Sequence, residues 1–189
     1  MKKHLLRTVL AASMAVFASP MAAKAAFINA PVPTNAYITL GALDWAWAFP
    51  LPASNGIDLS YQSTQGWRLP TAAELLGAPL ATAFMFTGAN VPLGGADPVS
   101  GAGFQATNAA LTGAAACATP YFSSIYRHCD WQDGQGQTYG PWAGMAGAFS
   151  FADQLVVRVS TAAVPEPASL GLFGAALFGM GLIRRRRRA

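Results

Sequence analysis

The sequence predicts an α+β fold, with one loop-rich exported domain followed by a C-terminal transmembrane helix. Residues 155–159 are rich in β-branched side chains and show the alternation of a strand. Residues 37–40 indicate a second strand. Residues 71–76 indicate a short helix, because Thr71 and Glu74 have the spacing of a capping box. Only 11% of the 189 residues are charged and Gly is abundant, which favours loops and strands over a helical bundle.

Residues 1–25 have the three parts of a secretory signal peptide. The start is basic, residues 5–17 are apolar, and Ala23 and Ala25 occupy the positions that signal peptidase reads. We expect cleavage after Ala25. The basic start has no Arg-Arg pair, so general secretion is favoured over twin-arginine export. The predicted partners of this segment are the general secretion machinery and signal peptidase.

Residues 26–163 form the predicted exported domain, which is acidic although the whole chain has a formal charge of +4. Nine of the twelve basic residues lie in the terminal segments. Three arginines remain in the domain against seven carboxylates, a net charge of −4. A basic chain would have suggested nucleic acid, and this distribution argues against such a partner.

Cys117 and Cys129 are the only cysteines and both lie in the exported domain. An oxidising compartment favours a disulfide between them, and closing this loop contributes about 3 kcal/mol through chain entropy. The alternative is a metal site that also uses His128 and Asp130. Adjacent His and Cys side chains rarely reach one ion, and the spacing differs from structural zinc sites. We therefore predict a disulfide and no metal.

The helix at residues 72–76 is expected to end at Gly77 and Pro79, and a further helix is expected near residues 81–86. Leu75 and Leu76 are both expected to pack inward, with Trp67 attaching the helix to the core. Arg68 is expected to bridge a carboxylate such as Asp44.

The candidate ligand-binding segment is residues 120–142, where aromatic residues alternate with Asp and Gln. Aromatic faces stack on sugar rings while Asp and Gln bind hydroxyls. The alternative is that these aromatic residues build the core. The candidates are Tyr126, Asp130, Trp131, Asp133 and Trp142.

No cofactor is predicted. Calcium at Asp130 and Asp133 is an alternative, but the EF-hand spacing fails because Pro141 occupies the twelfth position. We predict that the protein is not an enzyme and has no catalytic residue, since His128 is the only histidine of the exported domain and no Gly-x-Ser-x-Gly motif is present. A rival hypothesis is a secreted enzyme acting on matrix polymers through Asp130, Asp133 or Asp153. Another is a purely structural surface component.

The C-terminal segment, residues 164–189, contains sixteen uncharged residues at 168–183. As a helix they extend about 24 Å, which is short for a hydrocarbon core of about 30 Å. Five arginines follow, and they are expected to snorkel and keep the C-terminus cytoplasmic. Pro165 and Pro167 favour an extended, accessible conformation just before the helix.

Val164-Pro165-Glu166-Pro167, the apolar span and the arginine cluster resemble, in this order, the PEP-CTERM sorting signal of Gram-negative bacteria. The resemblance implies recognition of the Pro-Glu-Pro motif by an exosortase and removal of the helix. It also implies transfer from the inner membrane to the cell surface or to an exopolysaccharide matrix, as in a biofilm. A plain membrane anchor is the alternative. The membrane stop consists of Arg184, Arg185, Arg186, Arg187 and Arg188.

The stretch from Trp67 to Leu75 resembles the Trp-Arg-Leu-Pro-Thr-x-x-Glu-Leu signature of bacterial surface domains related to the Lcl C-terminal domain. More remotely, it is similar to formylglycine-generating-enzyme-like domains. This resemblance implies a C-type-lectin-like fold and binding of glycans or other surface ligands. Leu75 and Leu76 replace the Trp-Glu of the formylglycine-generating branch, and its pair of catalytic cysteines near the end is missing, so oxidase activity is not implied. The combined prediction is a non-catalytic surface or matrix protein that binds exopolysaccharide.

Overall fold

The computed structural model describes residues 27–92, 94–105, 113–131 and 141–161. The predicted signal peptide and the predicted transmembrane helix lie outside these ranges. The described part combines short strands with little helix, which confirms a mixed α and β architecture. Its strands are β1 (Ile38–Leu40), β2 (Leu43–Phe49), β3 (Val91–Pro92), β4 (Gly103–Gln105), β5 (Ala114–Ala115), β6 (His128–Asp130) and β7 (Gln154–Val159).

The central sheet has the order β1-β2-β7 and is antiparallel throughout. β1 and β7 are the two strands that the sequence indicates, and both predictions are confirmed. The pairing of β2 with β7 runs from Leu43↔Val159 to Trp47↔Leu155, followed by an irregularity between Trp47 and Phe49. The centre of the sheet therefore joins a segment near the start of the exported domain to a segment near its end.

Two small sheets attach the intervening loops to this centre. β3 pairs antiparallel with β5, and β4 pairs parallel with β6. The disulfide between Cys117 and Cys129 joins the segment after β5 to β6, with the two Cα atoms 5.9 Å apart, and confirms the predicted bond. The Asn90 side chain exchanges two hydrogen bonds with the Cys117 backbone, at 3.0 and 2.9 Å, and so fixes β3 beside the bridge.

Alternation along β2 and β7 divides the core into two clusters. Trp45, Trp47, Leu155 and Val157 belong to a cluster that includes the disulfide. The intervening side chains belong to a second cluster with Trp67 and Phe122. Since successive strand residues point to opposite faces, β2 and β7 lie between the clusters and are buried on both faces. The side chains that face the second cluster are Ala46, Ala48 and Val156.

The predicted helix is α1 (Ala72–Leu75), and its capping box is formed in full. Thr71 Oγ1 accepts from the Glu74 N–H at 3.2 Å, and Glu74 Oε2 accepts from the Thr71 N–H at 2.7 Å. Leu75 is buried, but the Leu76 residue is 88% exposed, so the prediction that both pack inward is wrong. Consecutive helical residues differ by about 100° in direction, and a one-turn helix can bury only one of them.

The predicted partner of Arg68, Asp44, is also wrong. Arg68 binds Glu74 through two hydrogen bonds, at 2.6 and 2.8 Å, while Asp44 binds Arg158 at 2.9 Å. The register places Asp44 directly opposite Arg158 on β7, which decides the pairing. Trp67 is buried in the second cluster and attaches the α1 segment to the core as expected. The helix expected near residues 81–86 is a short 3₁₀ helix, Ala81–Phe84.

Candidate functional site

The candidate ligand-binding residues fall into three groups. Trp131 and Trp142 are fully buried, with ring centroids 5.9 and 4.9 Å from that of Trp47. Trp142 Nε1 donates to the Pro79 carbonyl at 2.7 Å. Neither indole presents a face to solvent, which is the arrangement expected of core aromatic residues. Asp133 lies outside the described residues.

Asp130 is partly exposed at the end of β6, the strand that the disulfide fixes, and Tyr126 is partly exposed two residues before this strand. Cys129 points inward into the bridge, so alternation directs its neighbours His128 and Asp130 outward. The Tyr126 ring makes an edge contact with the His128 ring at 5.6 Å between centroids. These three side chains therefore follow one side of the chain.

Gln105 completes this surface. β4 places Gln105 beside Asp130 in the parallel register, and Gln105 is exposed. We call the surface formed by Gln105, Tyr126, His128 and Asp130 the β6 face. It combines an aromatic ring with a carboxylate, an imidazole and an amide, which together donate and accept hydrogen bonds.

Partial burial favours the neutral form of the His128 imidazole on the β6 face. Burial lowers the pKa of His128, and the nearby Asp130 carboxylate acts in the opposite direction. A lowered pKa leaves His128 uncharged at neutral pH, with one nitrogen as donor and the other as acceptor. The face therefore offers mixed hydrogen bonding around one carboxylate.

Sequence reasoning missed His128 and Gln105 as members of this surface. His128 had a usable signal, because a disulfide at Cys129 fixes that side chain inward and turns both neighbours outward. Gln105 had none, since its position beside Asp130 depends on parallel pairing between strands far apart in the chain.

Asp153, one of the acids of the enzyme hypothesis, is fully buried. Its Oδ2 accepts hydrogen bonds from Trp47 Nε1 and from the Asp130 N–H. These contacts connect β2 and β6 to the residue just before β7, which is a structural role. Within the described residues, no group of three or more His, Cys, Asp or Glu side chains is placed to hold a metal ion.

A concave surface with a volume of about 840 Å³ lies between β1 and residues 79–86. Tyr37 and Phe86 contribute rings, Leu40 and Leu80 contribute aliphatic side chains, and Thr82 contributes a hydroxyl. We call it the β1 groove. None of its lining residues is charged.

The family described as the PEP-CTERM protein-sorting motif matches residues 163–188. The chain carries an exosortase sorting signal. The match confirms the predicted motif, makes an exosortase the processing partner, and indicates export and sorting to the surface by way of the membrane. Over the described ranges, no helix combines the length and apolar character needed to cross a membrane, and all of the matched residues lie outside those ranges. Neither a curated protein nor a solved structure matches the chain.

Proposed function

We propose that the protein is a non-catalytic component of the cell surface or extracellular matrix whose exported domain binds exopolysaccharide. The observation that carries the proposal is the sorting signal at residues 163–188, which fixes the compartment where a ligand is met. The Pro-Glu-Pro motif then serves as the processing site and the arginine cluster as the membrane stop. The C-type-lectin-like fold stays a prediction, because no solved structure matches the chain.

The β6 face is the part of the described domain best suited to a polar polymer. Tyr126 and Asp130 are two of the predicted binding residues, and His128 and Gln105 add donors and acceptors around them. Phe49 supports the Tyr126 ring in an edge contact at 5.4 Å, and this packing limits the motion of the ring. A supported ring loses less conformational entropy on binding than a free one.

A non-catalytic role is supported by the positions of the acids. Polymer hydrolysis usually needs two carboxylates facing one bond. Asp153 is buried in structural hydrogen bonds, so among the described acids of this region only Asp130 reaches the surface. The buried position of Asp153 therefore argues against its use as a catalytic acid on the β6 face.

The test is binding of the purified full chain, in mild detergent, to exopolysaccharide isolated from the source organism. We expect saturable retention in gels containing the polymer, with Asp130→Asn and Tyr126→Ala each weakening it about tenfold, or about 1.4 kcal/mol. Tyr61→Ala is the matched control, because Tyr61 is a partly exposed tyrosine outside the β6 face. Absence of retention in the unaltered chain would contradict the binding role, and shortening of the polymer would contradict the non-catalytic one.

A further inference from the structure

The two edges of the central sheet differ in how they are covered. At the β7 edge, Arg68 exchanges two backbone hydrogen bonds with Val157, both 2.9 Å long. On the side of β1 that faces away from β2, no strand of the described part of the chain pairs with it. An uncovered strand edge is a template for pairing with another chain.

Thr39 provides the outward backbone groups of this edge. Leu40 pairs with Leu43 across the two-residue turn of Gly41 and Ala42, so this pair closes the hairpin with hydrogen bonds. Alternation along an antiparallel pair then directs the Thr39 N–H and C=O away from β2. One donor and one acceptor are thus available at a single residue.

The exposed side chains around the β1 edge are uncharged, and the Asp44–Arg158 pair that contacts Thr39 and Tyr37 is largely buried and neutralises itself. Residues 28–43 and 75–96 contain no Asp, Glu, Lys, Arg or His, whereas the described residues as a whole have six carboxylates and three arginines. Leu40 and Leu80 line the β1 groove and are both exposed. A basic or acidic partner would find no opposite charge here, but a second copy brings an equally uncharged, apolar surface.

We propose that β1 pairs antiparallel with β1 of a second copy, about a twofold axis at Thr39. Each Thr39 then donates its N–H to the carbonyl of the other, because an antiparallel hydrogen-bonded pair needs one donor and one acceptor from each residue. The surface is self-complementary, as a twofold interface requires. The result is a six-stranded sheet in which Leu40 and Leu80 of both copies are covered.

The size of the contact makes the pairing dependent on concentration. Ten residues line the β1 groove, whereas a standard interface uses about 20–30 residues and about 800 Å² per partner. The contact is therefore smaller than a permanent dimer interface. Chains held on one surface meet at a raised effective concentration, which favours this weak pairing there.

The test is disulfide crosslinking of the full chain carrying Thr39→Cys, in mild detergent under gentle oxidation. The two native cysteines are bonded to each other, so the introduced cysteine supplies the thiol that forms the crosslink. Directly opposed residues of this pair type have Cα atoms about 5.5 Å apart, within the range that a disulfide spans. Leu76→Cys is the control, since Leu76 is highly exposed and does not line the groove.

We expect Thr39→Cys to form covalent dimers about tenfold faster than Leu76→Cys, as a raised effective concentration requires. Association through the C-terminal segment raises both rates equally and cannot produce the difference. Equal rates would overturn the proposal and assign the β1 edge to another occupant, such as an extended peptide of a different protein.

A second variant tests whether the apolar side chains of the β1 groove take part in the contact. Leu80→Asp in the Thr39→Cys chain places like charges across the twofold axis, and we expect crosslinking to slow about tenfold. Leu76→Asp in the same background is the matched control and should leave the rate unchanged. Crosslinking that is insensitive to Leu80→Asp would place the contact elsewhere and overturn the proposal.

Discussion

Two arginine–carboxylate pairs lie close to β7, and they differ in geometry and in exposure to solvent. Arg68 and Glu74 form the shorter, two-pronged contact, with side chains 45% and 21% exposed. Arg158 and Asp44 are joined at 2.9 Å, with side chains 13% and 2% exposed. The Arg158 guanidinium also lies 4.9 Å from the ring centre of Tyr37 and 4.6 Å from that of Trp67.

The comparison shows that geometry alone does not rank ion pairs. Water screens the exposed pair, and ordering two mobile side chains offsets much of its attraction. The buried pair has lost its hydration, so removing one partner leaves a charge with little compensation. We therefore expect the longer, single contact of Arg158 to matter far more for stability than the better geometry of Arg68.

The largest expected effect comes from Arg158→Leu. Among the described residues, this change leaves the buried Asp44 carboxylate with the Thr39 hydroxyl, at 2.7 Å, as its side-chain hydrogen-bond donor, and it removes the cation beside the Tyr37 and Trp67 rings. We expect the free energy of unfolding to fall by about 3 kcal/mol, measured by urea denaturation. The double variant Arg158→Leu with Asp44→Asn should recover part of the loss. A loss below about 1 kcal/mol would show that this pair behaves like a surface pair.

An intermediate effect is expected for Thr71→Ala, which separates the helix cap from the Arg68 pair. The change removes the acceptor for the Glu74 N–H but leaves Arg68 in place. We expect a loss of about 1 kcal/mol in the free energy of unfolding, as for other N-cap threonines. Thr87→Ala is the control, because Thr87 is exposed and lies outside α1. Equal losses in the free energy of unfolding of the two variants would show that the capping box contributes no more than an ordinary exposed threonine.

The smallest expected effect on stability belongs to Arg68→Met, at about 0.5 kcal/mol. The clearer readout is the carboxyl titration of Glu74 by NMR. The Arg68 guanidinium, followed by the Thr71 N–H, lowers the pKa of Glu74 from 4.5 to about 2. In the variant this pKa should rise toward 4.5, with the Thr71 contribution retained.

The sign of the pH dependence follows from this lowered pKa. The stabilising contribution of Glu74 is complete above about pH 4.5 and is lost as the pH falls toward about 2. The decline should be shallower in Arg68→Met. An unchanged titration midpoint would show that Arg68 does not hold the carboxylate in solution.

Local signals predicted β1, β7, the capped helix and the disulfide. Strand 154–159, the capping box and the disulfide each depend on residues close in sequence or on a unique cysteine pair. The partner of Asp44 could not be predicted this way, because it depends on the register between β2 and β7. β2 itself alternates bulky and small apolar side chains, and this pattern marks a strand buried on both faces.

The candidate site was less predictable for a related reason. Trp131 and Tyr126 are equally aromatic in sequence, yet one packs against Trp47 in the core and the other lies at the surface. Composition cannot distinguish these positions, since a small domain needs aromatic side chains both to fill its interior and to bind ligands. Alternation about the inward-facing Cys129 could have distinguished Asp130 from Trp131.

The pairing of β2 with β7 also affects when the sheet can form during export. The Asp44–Arg158 contact closes across 114 residues, and β7 ends at Val159, four residues before the sorting motif begins. A chain that leaves a membrane N-terminus first releases β2 early, but the sheet cannot close until β7 has crossed, and long-range pairing of this kind forms late. The next residues to arrive are those of the sorting motif. The order of the chain therefore places the last strand of the central sheet directly before the sorting motif.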